Sequence, residues 1–271
     1  DHHNSRHYGT DADGEYLPLG NGPLRDIGLF LAQVFLQPIF VSFRFAVLTP
    51  LSFLHPKLRT WVLEHASSFV IDWRYRRPIP ENAPRAAWAV MDVLCCMRAL
   101  AIFTWVIMGW APLERLPMLY FLATFILGMN YIRTLAAHRY ESRGERLTHV
   151  EQLLDSIDIT GDRFFTELVC PVGLRYHALH HLFPGLPYHN LGRAHRRLLA
   201  ELPEDSPYRQ VVRPSMRAVI GELVRRAAEH SRAEQARAAR QRSADRPAVL
   251  DSSLVRLAEG ARGEQEAMKL E

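Results

Sequence analysis

The sequence predicts an all-α integral membrane protein, in which a helical hairpin crosses the bilayer and a helical metal domain lies on the cytoplasmic side. The hairpin is predicted by two apolar runs, residues 88–110 and 116–137, joined only by the short connector APLER. Each run exceeds the roughly 20 residues that a span needs. The metal domain is predicted by three clustered histidines, His177, His180 and His181.

Composition excludes several classes of protein. The net charge of the 271 residues is only +4, and basic residues are not interleaved with aromatic ones, so we expect no nucleic acid as a partner. Cys95, Cys96 and Cys170 form neither a CxxC pair nor a secreted disulfide framework. The 13 histidines are unusually many for this length. We therefore look for chemistry at histidine.

Positive charge predicts the orientation of the hairpin. Only Arg115 lies in the connector, whereas arginines flank both outer ends: Arg74, Arg76, Arg77, Arg85, Arg139, Arg143 and Arg146. Because positively charged loops stay in the cytoplasm, both outer ends are expected there. Asp92 and Arg98 within the first run leave one alternative, a pair of buried helices in a soluble protein.

An earlier apolar stretch, residues 27–54, is long enough to span but is interrupted by Pro38, Arg44 and Pro50. If the histidines on either side of the hairpin meet on one side of the membrane, an even number of crossings separates them. The hairpin already supplies two. We therefore expect residues 27–54 to form an interfacial or re-entrant element.

The chain after the hairpin is expected to be helical. Thr148 and Glu151 have the spacing of a capping box that opens a helix ending near Asp158. A further helix is expected over residues 171–182, ended by Pro184.

The domain boundaries follow from composition. Residues 1–202 are assigned to the membrane and catalytic region, and residues 203–214, which are punctuated by proline, to a linker. Residues 215–271 are expected to form a basic amphipathic helix and a disordered tail. The helix has an apolar stripe of Met216, Val219, Ile220, Leu223, Val224 and Ala227.

The strongest motif is the triplet His177-Ala-Leu-His180-His181. On a helix, positions i, i+3 and i+4 share one face, so three imidazoles converge. Neutral nitrogen donors suit a first-row transition metal, and both zinc and iron accept them. The alternative is a chance set of surface or core histidines. No HExxH or Glu-x-x-His motif occurs, so a helical zinc protease and a soluble di-iron bundle are disfavoured.

The triplet, followed by FPGLPYHNL after a hairpin, resembles the third histidine box of the membrane fatty acid desaturases. The opening HHNSRHYGTDADGEYLPL resembles the end of that family's second box. His138, at the end of TLAAH, is similar to a further ligand of the acyl-CoA desaturases, although Thr134 stands where that family has asparagine. The resemblance extends to about residue 199.

This resemblance implies a centre of two iron ions, with O₂ as co-substrate, held by His2, His3, His138, His177, His180 and His181. Carboxylates that could accept from the imidazoles are Glu151, Asp155, Asp158 and Asp162. The family's first box is missing, so we expect an N-terminally truncated segment that is inactive alone.

The implied activity is desaturation of an acyl chain carried on a lipid, coenzyme A or an acyl carrier protein. Implied partners are the lipid bilayer and a small cytochrome b5-like or ferredoxin-like electron carrier. Two alternatives stay open: a lipid or carotenoid hydroxylase or ketolase of the same fold, and a non-catalytic metal-binding membrane protein.

Overall fold

The computed structural model describes residues 2, 6–17, 19–68 and 75–244. These residues are mostly helical, which confirms the predicted all-α class. The chain divides into two compact units, Asp1–His230 and Ser231–Glu271. The predicted domain boundaries stay predictions.

Both helices of the predicted hairpin are present. Helix α4 (Arg85–Ile107) and helix α5 (Arg115–Ala137) are joined by residues 108–114, and both are long and apolar enough to cross a membrane. Their surfaces carry large exposed apolar side chains, including Met97, Phe121 and Phe125. An outward apolar surface of this kind is what a bilayer requires of a spanning helix.

The stretch that the sequence predicts as interfacial or re-entrant is one long helical run, Leu24–Ser52. It comprises helix α1 (Leu24–Phe43), a π-helical turn (Arg44–Leu48) and helix α2 (Thr49–Ser52). By length and composition this run is a third candidate span. A shorter helix, α3 (Pro56–His65), follows.

The chain after the hairpin forms short helices and one small sheet. Its elements are α6 (His149–Asp155), β1 (Asp158–Ile159), α7 (Arg163–Val169), a 3₁₀ turn (Pro171–Gly173), α8 (His177–Leu182), α9 (Tyr188–Glu201), α10 (Pro207–Gln210), β2 (Val212–Arg213) and α11 (Met216–Ala244). Strands β1 and β2 pair in parallel, with Asp158 opposite Val212. The capping box of Thr148 and Glu151 is present at the start of α6, as predicted.

The helix predicted over residues 171–182 is wrong in its first half. Val172 and Gly173 have φ of +58° and +86°, in the left-handed region that a helix cannot include. A side chain at Gly173 would lie 2.7 Å from the carbonyl oxygen of Tyr188, so close packing against α9 requires glycine there. Helix α8 therefore begins only at His177.

Two buried clusters position the part of the molecule that carries the histidines. The first joins the N-terminal segment, α1, α5 and α11, and includes Tyr8, Phe30, Tyr131 and Leu223. The second packs α8 against α6, α9 and α10 through residues including Leu179, Leu191 and Tyr208. Residues 203–214, predicted as a linker, thus contribute Tyr208 and Val211 to a core.

Candidate metal centre

Three separate segments bring histidines to one place. His138 directly follows α5, where the chain turns from helix to extended backbone and forms a bridge to Ser156. His177 and His181 lie one turn apart on α8, so they share a face. His2 precedes the loop anchored by the fully buried Tyr8. Along the chain, His2 is 136 residues from His138, and His138 is 39 residues from His177.

The four imidazoles point their Nε2 atoms at one another. Nε2 of His138 lies 3.1 Å from that of His2 and 2.9 Å from that of His177. Nε2 of His177 lies 3.1 Å from that of His181. One ligand atom from each of the four residues falls within 4.8 Å of the others.

A carboxylate and a tyrosine determine which nitrogen carries the proton in two of these rings. Nδ1 of His2 lies 2.9 Å from Oδ2 of Asp13, and a carboxylate only accepts, so Nδ1 is the protonated nitrogen. Nδ1 of His138 lies 2.8 Å from the hydroxyl of Tyr8, which itself donates to Oδ2 of Asp155 at 2.9 Å. That hydroxyl therefore accepts from His138.

The Nε2 atoms of His2 and His138 consequently present lone pairs to each other at 3.1 Å. Two such acceptors attract only if a cation or an extra proton lies between them. Metal–nitrogen bonds of about 2.1 Å put neighbouring nitrogens about 3.0 to 3.4 Å apart, depending on the angle between the bonds. The three shortest spacings, of 2.9 to 3.1 Å, lie close to that range, so the donor set fits a transition-metal ion.

An extra proton is disfavoured by the surroundings. Burial, followed by the neighbouring His138, His181 and His2, lowers the pKa of His177 well below its usual value. The pKa of His180 is lowered mainly by burial as well. A cluster that resists protonation keeps its nitrogens available to a metal.

The Asp155 carboxylate, which lies behind His138, accepts three hydrogen bonds. It accepts from the hydroxyls of Tyr8 and Tyr16 and from the amide of Glu141, at 2.9, 3.2 and 3.0 Å. Burial raises the pKa of Asp155, and these three donors oppose that rise. These hydrogen bonds join the N-terminal loop to the segment that follows α5.

A second buried network supports α8 from behind. Asp158 accepts from the amide of Leu179 at 3.2 Å, within the first turn of α8. A negative charge at a helix N-terminus is favourable. The hydroxyl of Tyr208 donates to Asp158 at 2.7 Å and lies 2.6 Å from Nδ1 of His195. Asp158 thus holds the helix that carries His177 and His181.

The family model described as fatty acid desaturase matches residues 1–212. The chain belongs to the fatty acid desaturase family.

One curated relative in this superfamily is a ceramide hydroxylase from Caulobacter vibrioides (strain NA1000 / CB15N). It is 39% identical over 229 residues, which cover 83% of this chain and 64% of the relative. The chain therefore spans about two thirds of that relative's length. No solved structure matches the chain.

The other residues that the desaturase resemblance implied lie in different places. His180 is outside the four-histidine group, with its ring 6.3 Å from that of His177 and 5.2 Å from that of Tyr188. His3 lies outside the described residues. Glu151 is exposed and accepts from the amide of Thr148 in the capping box. Asp162 is an exposed residue before α7.

Sequence reasoning missed Asp13, Tyr8 and the pair of His195 and Tyr208. Asp13 is one of three acidic residues between positions 11 and 15, and composition does not single it out. The turn does: Asp13 also accepts from the amides of Gly9 and Glu15, both at 3.1 Å. The Tyr-Gly-Thr that follows the second box in the desaturase family was the one available signal for Tyr8.

The contact between His2 and His138 limits how many times this desaturase-family chain can cross the bilayer between them. Groups in contact lie on one side of a membrane, so the chain between them crosses an even number of times. If both candidate spans α4 and α5 cross, they supply two crossings, and α3, at 1.5 Å per residue, is only about 15 Å long. A lone crossing by Leu24–Ser52 would leave an odd number. Its interfacial or re-entrant placement stays a prediction, which this parity supports.

Proposed function

We propose that the protein is a membrane oxidoreductase that uses O₂ and histidine-held iron to oxidise a C–H bond of a lipid chain. The observation that carries this proposal is the meeting of His2, His138, His177 and His181 at the end of a membrane hairpin. Iron supplies oxidising power when bound, which no side chain provides. Membership in the desaturase family supports iron over zinc.

The side chains have distinct roles in this proposal. His2, His138, His177 and His181 hold one ion, while Asp13 and the pair of Tyr8 and Asp155 keep two of the rings in the ligating tautomer. His180 and His3 are proposed to serve the second ion, with further ligands from the whole protein. Asp158 keeps α8 in place by accepting from Leu179.

Hydroxylation is favoured as the outcome, with a ceramide-like lipid as the substrate. The support is the 39% identity to a ceramide hydroxylase across most of this chain. Desaturation of a fatty acyl chain is the second candidate, favoured by the description of the matching family. The histidine geometry serves both outcomes, because both begin with removal of hydrogen from a methylene.

We further propose that the metal centre faces the cytoplasm and receives electrons from a small carrier protein. The support for this orientation is the distribution of arginine: the outer ends of the hairpin are rich in it, and the connector contains only Arg115.

Lipid analysis tests the proposal. The full-length protein is expressed in a host supplied with ceramide and ordinary fatty acids, and extracted lipids are analysed by mass spectrometry. A ceramide that gains one oxygen atom supports hydroxylation. Loss of two hydrogens without oxygen would favour desaturation instead. Unchanged lipids together with iron-free protein would contradict both and support the non-catalytic alternative.

A further inference from the structure

A second charged cluster lies among the membrane-associated helices, away from the histidines. The carboxylate of Asp92, in α4, is held between two guanidiniums: Nη1 of Arg44 lies 2.8 Å from Oδ1, and Nη1 of Arg59 lies 2.6 Å from Oδ2. Arg44 and Asp92 are only 4% and 7% exposed. Arg44 also donates to the carbonyl of Ala66, and Arg59 to the hydroxyl of Ser52.

A cavity of about 270 Å³ opens beside this cluster. Arg44, Asp92 and Arg77 contribute charge to its wall, and Phe45, Met91 and Trp88 contribute apolar surface. The wall is therefore amphipathic, with guanidiniums and carbon surface facing the same space.

Positive charge is in excess at this cavity. The guanidiniums of Arg44 and Arg77 line it, and Asp92, the one acidic side chain among its described lining residues, is already shared between Arg44 and Arg59. The guanidinium of Arg77 lies over the ring of Trp88, 4.7 Å from its centroid. Within residues 2, 6–17, 19–68 and 75–244, no carboxylate forms an ion pair with Arg77. Uncompensated cations are costly beside apolar helices, so the cavity favours an anion.

The surroundings favour a lipid as the source of that anion. Trp88 lies in the first turn of α4, at the end of a candidate span, where tryptophan commonly meets the membrane–water interface. Free inorganic phosphate would use the guanidiniums but leave Phe45 and Met91 without a partner. A phospholipid would use both surfaces.

We propose that this cavity binds the phosphodiester headgroup of an anionic phospholipid. The phosphate lies against Arg77 and Arg44, and the first carbons of the lipid cover Phe45 and Met91. This site is separate from the metal centre: its lining includes none of the ligand histidines. It does not depend on the proposed activity.

The test compares two arginines near the start of α4. Arg77→Gln removes a cation that has no ion pair among the described residues, and Arg77→Lys keeps the charge. Arg85→Gln, at an exposed position of α4 outside the cavity, removes the same charge as a matched control. The full-length protein in detergent is titrated with phosphatidylglycerol or phosphatidylcholine, and bound lipid is counted by native mass spectrometry.

The wild type and Arg85→Gln are expected to retain phosphatidylglycerol in preference to phosphatidylcholine. Arg77→Gln should bind phosphatidylglycerol about tenfold more weakly, since one contact between charged groups is lost, and Arg77→Lys should retain most of the binding. Equal binding by Arg77→Gln and Arg85→Gln would overturn the site. Displacement of the lipid by millimolar inorganic phosphate would overturn the lipid assignment in favour of the free ion.

Discussion

The histidine centre and the arginine cluster are both buried, polar and built from distant segments, yet their charge imbalance has opposite sign. In the first, the Nε2 atoms of four imidazoles converge, and the carboxylates of Asp13 and Asp155 lie behind two of the rings. In the second, Arg44 and Arg59 share the carboxylate of Asp92, and Arg77 adds a further guanidinium to the wall of the same cavity.

The difference shows how the missing partner of each site can be inferred. A buried polar group must be satisfied, so a surplus of acceptors indicates a cation and a surplus of cations indicates an anion. The histidine centre also selects the kind of cation, because neutral nitrogen donors favour a transition metal over calcium or magnesium. The arginine cluster selects less sharply, since any phosphate fits a guanidinium.

The largest expected effect is loss of iron from the histidine centre. In the full-length protein, His138→Ala removes the ring whose Nε2 contacts both His2 and His177, so bound iron should fall to background. Metal analysis of purified protein measures this. His189→Ala, an exposed histidine in α9, is the control and should keep its iron. Full iron in His138→Ala would remove that residue from the ligand set.

The next largest effect is loss of stability at the arginine cluster. Asp92→Ala leaves the buried Arg44 and the half-buried Arg59 without their shared carboxylate, and loss of one partner from a buried ion pair costs about 3–5 kcal/mol. Thermal unfolding in detergent should show a large decrease in stability. Asp26→Ala, whose carboxylate is 34% exposed, should change little. Equal melting temperatures for both variants would mean that water reaches the arginine cluster and replaces the lost carboxylate.

A smaller effect on metal affinity is expected from the carboxylate that lies behind His2. Asp13→Asn keeps the shape of the side chain but removes its charge, and loss of such a partner typically weakens metal binding about 10–100-fold. Competition against a chelator measures the affinity. The matched control is Asp11→Asn, an exposed neighbour in the same turn. If both variants bind metal as the wild type does, Asp13 only stabilises the turn.

The smallest effect concerns the helix that leads to Asp155. Thr148→Ala removes the hydroxyl that accepts from the amide of Glu151, which should cost about 1 kcal/mol. The unfolding temperature should fall slightly, while iron content stays the same. Val150→Ala, at an exposed position of the same turn, provides the reference. A loss of iron in Thr148→Ala would show that the capping box positions the metal centre.

Periodic and long-range patterns made much of the fold predictable. The hairpin followed from two apolar runs, and the start of α6 from the spacing of Thr148 and Glu151. The meeting of His2 with His138 and His177 followed only from resemblance, since no local pattern relates residues so far apart. That these residues bind metal is still a proposal.

Features set by tertiary packing were not predictable. Val172 adopts a positive φ, which a β-branched residue rarely does, so no propensity would end the predicted helix there. His195 has no neighbouring motif, and only the fold brings it to Tyr208 and Asp158. Asp13 differs from Asp11 only in the hydrogen bonds of its turn.

The central claim is that imidazoles from three segments bind iron together. X-ray absorption at the iron edge of the purified full-length protein tests it most directly, because imidazole ligands give a nitrogen first shell with characteristic outer-shell scattering. We predict several imidazole nitrogens per iron at about 2.1 Å. A first shell of sulfur, or of oxygen without imidazole scattering, would contradict the account.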